Sequence, residues 1–359
     1  MRAAVMRNVG DEKLDVVHDA EVVDPGPGMV KVAFRATGVC HSDLSAMKGI
    51  VPLPAPCILG HEGAGEVLEV GDGVTTLAPG DHVVASWIAP CGTCSYCIGG
   101  QPNLCSVMMM AHAFTPRFIV GGEPMGGMLG IGTFAEQAVA PAQAFVKIDD
   151  DVPFDIASLI GCGVMTGVGA AINTAKVTPG SSAVVFGCGG VGISVIQGCR
   201  IAGAAEIVAV DLVESKREDA KRFGATHAVH PDDLDAVKQE VTAGEGFDYA
   251  FEVIGLSQTI RATFDAARRG GTAIVVGMGS ATDMVEFNAF ELFYNEKTLK
   301  GTLYGSADVR RDFHRLIRLW RAGRLDLEGM VSQTMAIDDI NQALEDMVAG
   351  KVIRTVITL

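Results

Sequence analysis

The chain has no run of basic residues. Lys and Arg number 28 against 43 Asp and Glu in 359 residues, a formal net charge of −15. Phosphate backbones are held by clustered Lys and Arg, so this balance argues against a nucleic-acid partner. No secretory leader is expected either: "MRAAVMRNVG" is too short and too interrupted by arginine to be a secretory core, and its "AAVM" reads as a first strand. A cytoplasmic protein without a membrane anchor is the expectation. One uncharged stretch, Val177 to Cys199, has the length of a bilayer span, but its glycines and Pro179 argue against a membrane helix. Internal repeats and low-complexity tracts are also lacking, which excludes a tandem array.

What is present fits a helix-and-sheet protein, with 48% hydrophobic residues and 44 glycines. The length predicts two domains, each able to bury a core. Up to about residue 155 the pattern is strand and loop, with "VKVAFRATGV", "GEVLEV", "DHVVAS" and "TFAEQAVA" as short alternating runs. From Ile156 to about Gly301, buried-type strands ("SSAVVF", "EIVAVD", "DYAFEVIG", "GTAIVVGM") alternate with helical stretches such as "ESKREDAKRFGA". That alternation predicts an α/β fold, a doubly wound parallel sheet covered by helices on both faces. Two amphipathic helices and a last strand, "IRTVITL", follow and are expected to return to the first domain.

In "AVVFGCGGVGISVIQGCRIAGAAEIVAVD", Gly187, Gly189 and Gly192 form G-x-G-x-x-G between a strand and a helix, with Gly190 and Val191 inside the motif. Asp211 ends the next strand nineteen positions after Gly192. Glycines permit the tight turn and close approach to a pyrophosphate, the helix N-terminus attracts that anion, and the carboxylate binds a ribose diol. Asp211 would repel a 2′-phosphate, so NAD is expected over NADP. Lys216 and Arg217 lie close by.

Nine cysteines in a long chain without a leader favour metal sites or reduced thiols over a disulfide framework. Cys91, Cys94, Cys97 and Cys105 are spaced C-x2-C-x2-C-x7-C. Four thiolates in one short segment saturate a tetrahedral zinc, which predicts a closed, structural site; the x7 gap departs from the ferredoxin run of an iron-sulfur cluster. A catalytic zinc keeps three protein ligands and an open position, and Cys2His is one such set. Cys40, His61 and Cys162 stand in glycine-flanked turns, but spacing alone does not choose among the remaining cysteines and the eight histidines.

"GVCHSDL", "LGHEGAGEV", "PGDHV", the four-cysteine lobe, "GCGVMTGVGAA", "GCGGVG", "VDLVESK" and "GKVIRTVITL" occur in the order found in zinc-dependent medium-chain alcohol dehydrogenases, which the chain resembles almost end to end. The resemblance implies a GroES-like, mostly β catalytic domain over residues 1–163, completed by 304–359, and a Rossmann cofactor domain over 164–303. It implies two zinc ions, one catalytic on Cys40, His61 and Cys162 and one structural on Cys91, Cys94, Cys97 and Cys105. Glu62 would lie beside the catalytic zinc and Asp43 would orient His61. His41 and Arg354 would touch cofactor phosphate, and Lys216 would join Asp211 at the adenosine ribose. Ser42 matches the group that takes the alcohol proton. Ser45 stands where many members carry the histidine that ends this relay, so the relay here is expected to end in water or another group.

By the same resemblance Trp87, Met110, Met128, Leu129 and Met278 line the pocket, an apolar, methionine-rich wall that implies a hydrophobic primary alcohol or aldehyde. Relatives acting on glutathione-conjugated formaldehyde carry charged groups where this chain has "SVMMM" and "IVPLPAPCI", which disfavours that alternative. Some actinobacterial members hold their nicotinamide without exchange and use an external acceptor, a second alternative. A homodimer is expected from the long segment between Cys105 and Thr133.

Overall fold

The computed structural model describes residues 1–107 and 115–359. Two compact units divide the chain. The first comprises Met1–Cys162, Asp308–Arg321 and Leu327–Leu359; the second comprises Gly163–Ala307 and Ala322–Asp326.

The first unit is mostly β. Its longest strand, Met29–Gly38, pairs antiparallel with Gly63–Val70, with Gln137–Pro141 and with the C-terminal strand Arg354–Thr358. Close approach needs glycine here: a methyl group on Gly65 would meet the Ala33 carbonyl oxygen at 2.0 Å. A second sheet contains Ala3–Met6, whose alternate residues serve two cores. Ala3 and Val5 pack with Val32, Phe34 and Phe118, while Ala4 and Met6 pack with Met47, Phe134 and Ile357. Burial on both faces of the pleat explains why "AAVM" carries no polar alternation. The expected strand at Thr133 begins only at Gln137. The amides of Thr133 and Phe134 donate instead to Gly60 and Leu59, tying this segment to the turn that carries His61.

The second unit contains a six-stranded sheet of parallel strands. Its order is His227–Val229, Glu206–Val210, Ser182–Phe186, Phe247–Glu252, Ala267–Val275, Thr298–Gly301. Ser182–Phe186 comes first in sequence yet has a neighbour on each side, so the strand order reverses there. Ligands of such sheets bind outside the carboxyl ends at this reversal.

Val177–Cys199 is a turn, the Ser182–Phe186 strand and most of the Gly190–Ala202 helix. Helical residues Phe154–Ala175, by contrast, are long and apolar enough to cross a bilayer by composition alone, but 78% of their most apolar stretch is buried inside the protein. An all-round apolar helix is what a core position demands.

Candidate functional site

Cys40 follows the long strand and caps the helix His41–Met47. Asp43, fully buried in the first turn of that helix, gathers the neighbourhood. Its Oδ2 accepts the Cys40 amide at 3.1 Å, and its Oδ1 accepts the Gly60 amide at 3.1 Å and lies 3.2 Å from His61 Nδ1. Gly60 has φ 86°, and a methyl group there would meet the Phe134 amide nitrogen at 2.5 Å, so only glycine makes this turn. With Nδ1–H donating to Asp43, Nε2 of His61 carries the lone pair; Nε2 is buried and has no hydrogen-bond partner. Cys162 sits in a π-helical turn, Ile160–Val164, an irregularity frequent at functional sites.

One ligand atom each from Cys40, His61, Glu62 and Cys162 lies within 4.8 Å of all the others. The thiol of Cys40 is held well below its ordinary pKa, first by a hydrogen bond from Cys162 and then, against burial, by His61; that of Cys162 is pushed well above by the same bond and by burial. Burial opposes charge on His61, but the Asp43 carboxylate and Cys40 outweigh it and raise its pKa. Glu62, fully buried, is paired with Arg354. Arg354, for which a cofactor-phosphate contact was expected, is 4% exposed and turned inward to Glu62, because a buried carboxylate needs a cation. Arg354 thus stands against Glu62, Cys40 and Cys162, and the lowered Cys40 thiol adds negative charge to a nearly buried site. A divalent cation taken by both sulfurs and the orphaned His61 Nε2 fits that charge deficit.

In the other cluster the Sγ atoms of Cys91 and Cys97, and those of Cys94 and Cys105, stand 3.9 Å apart. Two sulfurs each ~2.3 Å from a tetrahedral zinc are separated by about 3.8 Å. Amides of Thr93 and Cys94 donate to Cys91 Sγ at 3.4 and 3.3 Å, and the Thr93 amide leads in lowering that thiol to about 6. Burial pushes Cys97 up to about 12, so the backbone favours a thiolate at Cys91 in particular, and four sulfurs leave no ligand position for a substrate.

The glycines divide their work. Gly187 (φ 97°) makes the turn, and a methyl group on Gly192 would meet the Gly187 carbonyl oxygen at 1.8 Å. Gly189 caps the helix Gly190–Ala202, and a methyl group on it would point into open space, room for an anion at the helix N-terminus. Asp211 receives the amides of Cys188 and Val213 at 2.8 and 2.9 Å, locking its carboxylate beside the loop. Arg217 donates to the carbonyls of Asp211 and Leu212 at 2.9 Å. Lys216, in the first turn of the helix Glu214–Arg222, is partly buried.

The remaining expected residues are more scattered. Ser42 Oγ lies 3.6 Å from Cys40 Sγ, His41 is exposed, and Ser45 is partly buried. Trp87 is partly buried against one core, and Met128, at 1% exposure, belongs to the other. Leu129 occupies a left-handed conformation (φ 53°), and Met278 is 51% exposed. Met110 lies outside the described residues. Burial raises Cys188 to about 12, an inert thiol rather than an oxidation switch. Sequence reasoning passed over Glu252, whose signal was one acid ending an apolar strand in "DYAFEVIG".

Two family models match the chain: an alcohol dehydrogenase GroES-like domain over residues 26–150 and a zinc-binding dehydrogenase over residues 190–321. The NDMA-dependent alcohol dehydrogenase of Amycolatopsis methanolica is 39% identical over 365 residues, covering 99% of this chain and 98% of that one. The protein belongs to the zinc-dependent medium-chain alcohol dehydrogenases. This family also includes the S-(hydroxymethyl)glutathione dehydrogenase of Paracoccus denitrificans, 38% identical over 373 residues and 99% of each chain. Among solved structures, the benzyl alcohol dehydrogenase of Acinetobacter calcoaceticus superposes with a TM-score of 0.92 at 34% identity, covering 100% of this chain and 99% of that one. The alcohol dehydrogenase fold, a GroES-like unit plus a Rossmann-like unit, is the one described above.

Proposed function

We propose that the protein transfers a hydride between NAD and a hydrophobic primary alcohol or its aldehyde, with one catalytic and one structural zinc per chain. The reading assigns the alcohol chemistry to the first unit and NAD to the second. The observation that carries it is the orphaned, buried Nε2 of His61 facing Cys40 and Cys162. Zinc held there supplies a Lewis acid that lowers the pKa of an alcohol, and NAD is the hydride acceptor. Around them the chain positions groups and handles the proton. Asp43 fixes the His61 tautomer, Arg354 balances Glu62, and Ser42, its Oγ 3.6 Å from Cys40 Sγ, is the hydroxyl for taking the alcohol proton. Asp211 offers its remaining lone pairs to the ribose diol, the glycine loop offers its open space to pyrophosphate, and exposed His41 is a further phosphate donor. Trp87 and Leu129 supply apolar surface for the substrate. None of the nine cysteines is disulfide-bonded, and a cytoplasmic location goes with this reading.

Purified protein given NAD and a panel of primary alcohols should accumulate NADH fastest with long-chain or aromatic members, and metal analysis should find about two zinc ions per chain. Turnover with none of them, with and without an added electron acceptor, sinks the reading. The likeness to an NDMA-dependent enzyme favours a second form, in which the nicotinamide stays bound and only the added acceptor supports turnover.

We infer further that two copies associate through the second unit. Its edge strand Thr298–Gly301 is exposed along its whole length, and nearby Phe290, Phe293, Tyr294 and Met284 are 67%, 80%, 52% and 77% exposed. An unpaired edge beside an apolar patch is an association surface. Light scattering should give a dimer, and Phe293→Lys should shift it toward monomer; a tetramer, or a dimer indifferent to Phe293→Lys, contradicts the assignment.

A further inference from the structure

Glu252 ends the strand Phe247–Glu252 and is completely buried. Its Oε1 accepts three hydrogen bonds, from the Ile254 amide at 2.9 Å, the Gly255 amide at 2.7 Å and the Thr259 hydroxyl at 2.6 Å. Its Oε2 is buried with no hydrogen-bond partner. A buried carboxylate oxygen without a donor is costly, so its retention calls for a reason beyond capping a turn.

The turn that Glu252 holds is wedged between two others. A methyl group on Gly187, in the glycine loop, would lie 2.8 Å from Ile254 Cγ1. One on Gly255 (φ 91°) would lie 2.5 Å from the Met278 carbonyl oxygen, and one on Gly277 would lie 2.7 Å from Glu252 Oε2. Amides of Val276 and Gly277 close the junction by donating to the Glu252 carbonyl. Neither side can shift without the other. Three apolar side chains stand out from this junction at the carboxyl edge of the sheet: Ile254, Leu256 and Met278, exposed by 48%, 45% and 51%.

Strand order tells which end of a dinucleotide meets them. Asp211 follows the strand on one side of Ser182–Phe186, and Glu252 ends the strand on the other. With the adenosine ribose at Asp211 and the pyrophosphate over the glycine loop, the nicotinamide half extends to the Glu252 side. We propose that Glu252 is a positioning residue for the nicotinamide half of the cofactor: it fixes the Ile254–Leu256 turn against the glycine loop, so that an apolar edge is preformed for the nicotinamide. The proposal rests on the NAD reading above.

Affinities for NADH and for ADP, which carries only the adenosine end, separate the possibilities. Glu252→Ala should raise the NADH Kd by about tenfold or more while the ADP Kd stays within about twofold. Glu252→Gln keeps an acceptor for the Ile254 and Gly255 amides and should recover most of the loss. If Glu252→Ala does not fold, Thr259→Val, which removes one of the three donors, should still raise the NADH Kd by about threefold with ADP unchanged. Equal weakening of both ligands would show a merely structural carboxylate, and no change in either would show an idle one; both overturn the proposal. A parent protein that binds neither NADH nor ADP would mean that the dinucleotide reading itself fails, and this inference with it.

Discussion

Alanine at His61 should cost the protein the zinc of its catalytic site and about three orders of magnitude in kcat/KM, the equivalent of ~4 kcal/mol of transition-state stabilisation. Only two sulfurs would remain at a site that needs three ligands, and Asp43, still tied to the amides of Cys40 and Gly60, would lose its imidazole partner. The four-cysteine lobe shares no residue with this set and should keep its zinc. Mass-spectrometric metal analysis beside steady-state kinetics reads both effects. Asp43→Asn should be milder, between about tenfold and a hundredfold, because an amide oxygen can still accept from Nδ1 and the Gly60 amide while its nitrogen cannot accept the Cys40 amide. A His61→Ala protein with full zinc content and near-parental turnover would disprove the ligand set.

How much of this could be read from residues depended on sequence distance. The four-cysteine lobe is legible because its members fall within fifteen positions, where spacing alone argues tetrahedral coordination. The parallel sheet is legible as well, since strands buried on both faces are written as unbroken apolar runs. Cys40, His61 and Cys162 are different. They are separated by 21 and 101 positions, and only the resemblance to a family joined them before the fold brought their ligand atoms within 4.8 Å. The Glu62–Arg354 pair spans 292 positions, and no local pattern marks it. It exists because the C-terminal strand pairs with Met29–Gly38, a long-range match of two β-type runs that many other runs would satisfy equally well. Glu252 escaped for another reason: its role lies in what it holds still, which a sequence does not display.

That long-range pair carries the second large effect. Arg354→Met should destabilise the protein by about 3–5 kcal/mol, because Glu62 would be left ionised in a site where it is fully buried and stands among two cysteine sulfurs. The arginine's own charge is opposed by burial and held by Glu62 and both cysteines, so the coupling runs in both directions. The double variant Glu62→Gln with Arg354→Met removes both charges and should regain at least about half of the loss, since a buried ion pair is strongly destabilising to break but much less so to replace. Urea unfolding of the zinc-loaded parent, both single variants and the double variant gives the cycle. Strictly additive effects, or an Arg354→Met protein within about 1 kcal/mol of the parent, would mean that the pair is not what holds the C-terminal strand's arginine at the metal centre. A large coupling would show that closing the sheet with the last strand also completes the charge balance of the site, which makes metal retention a property of the chain's two ends together.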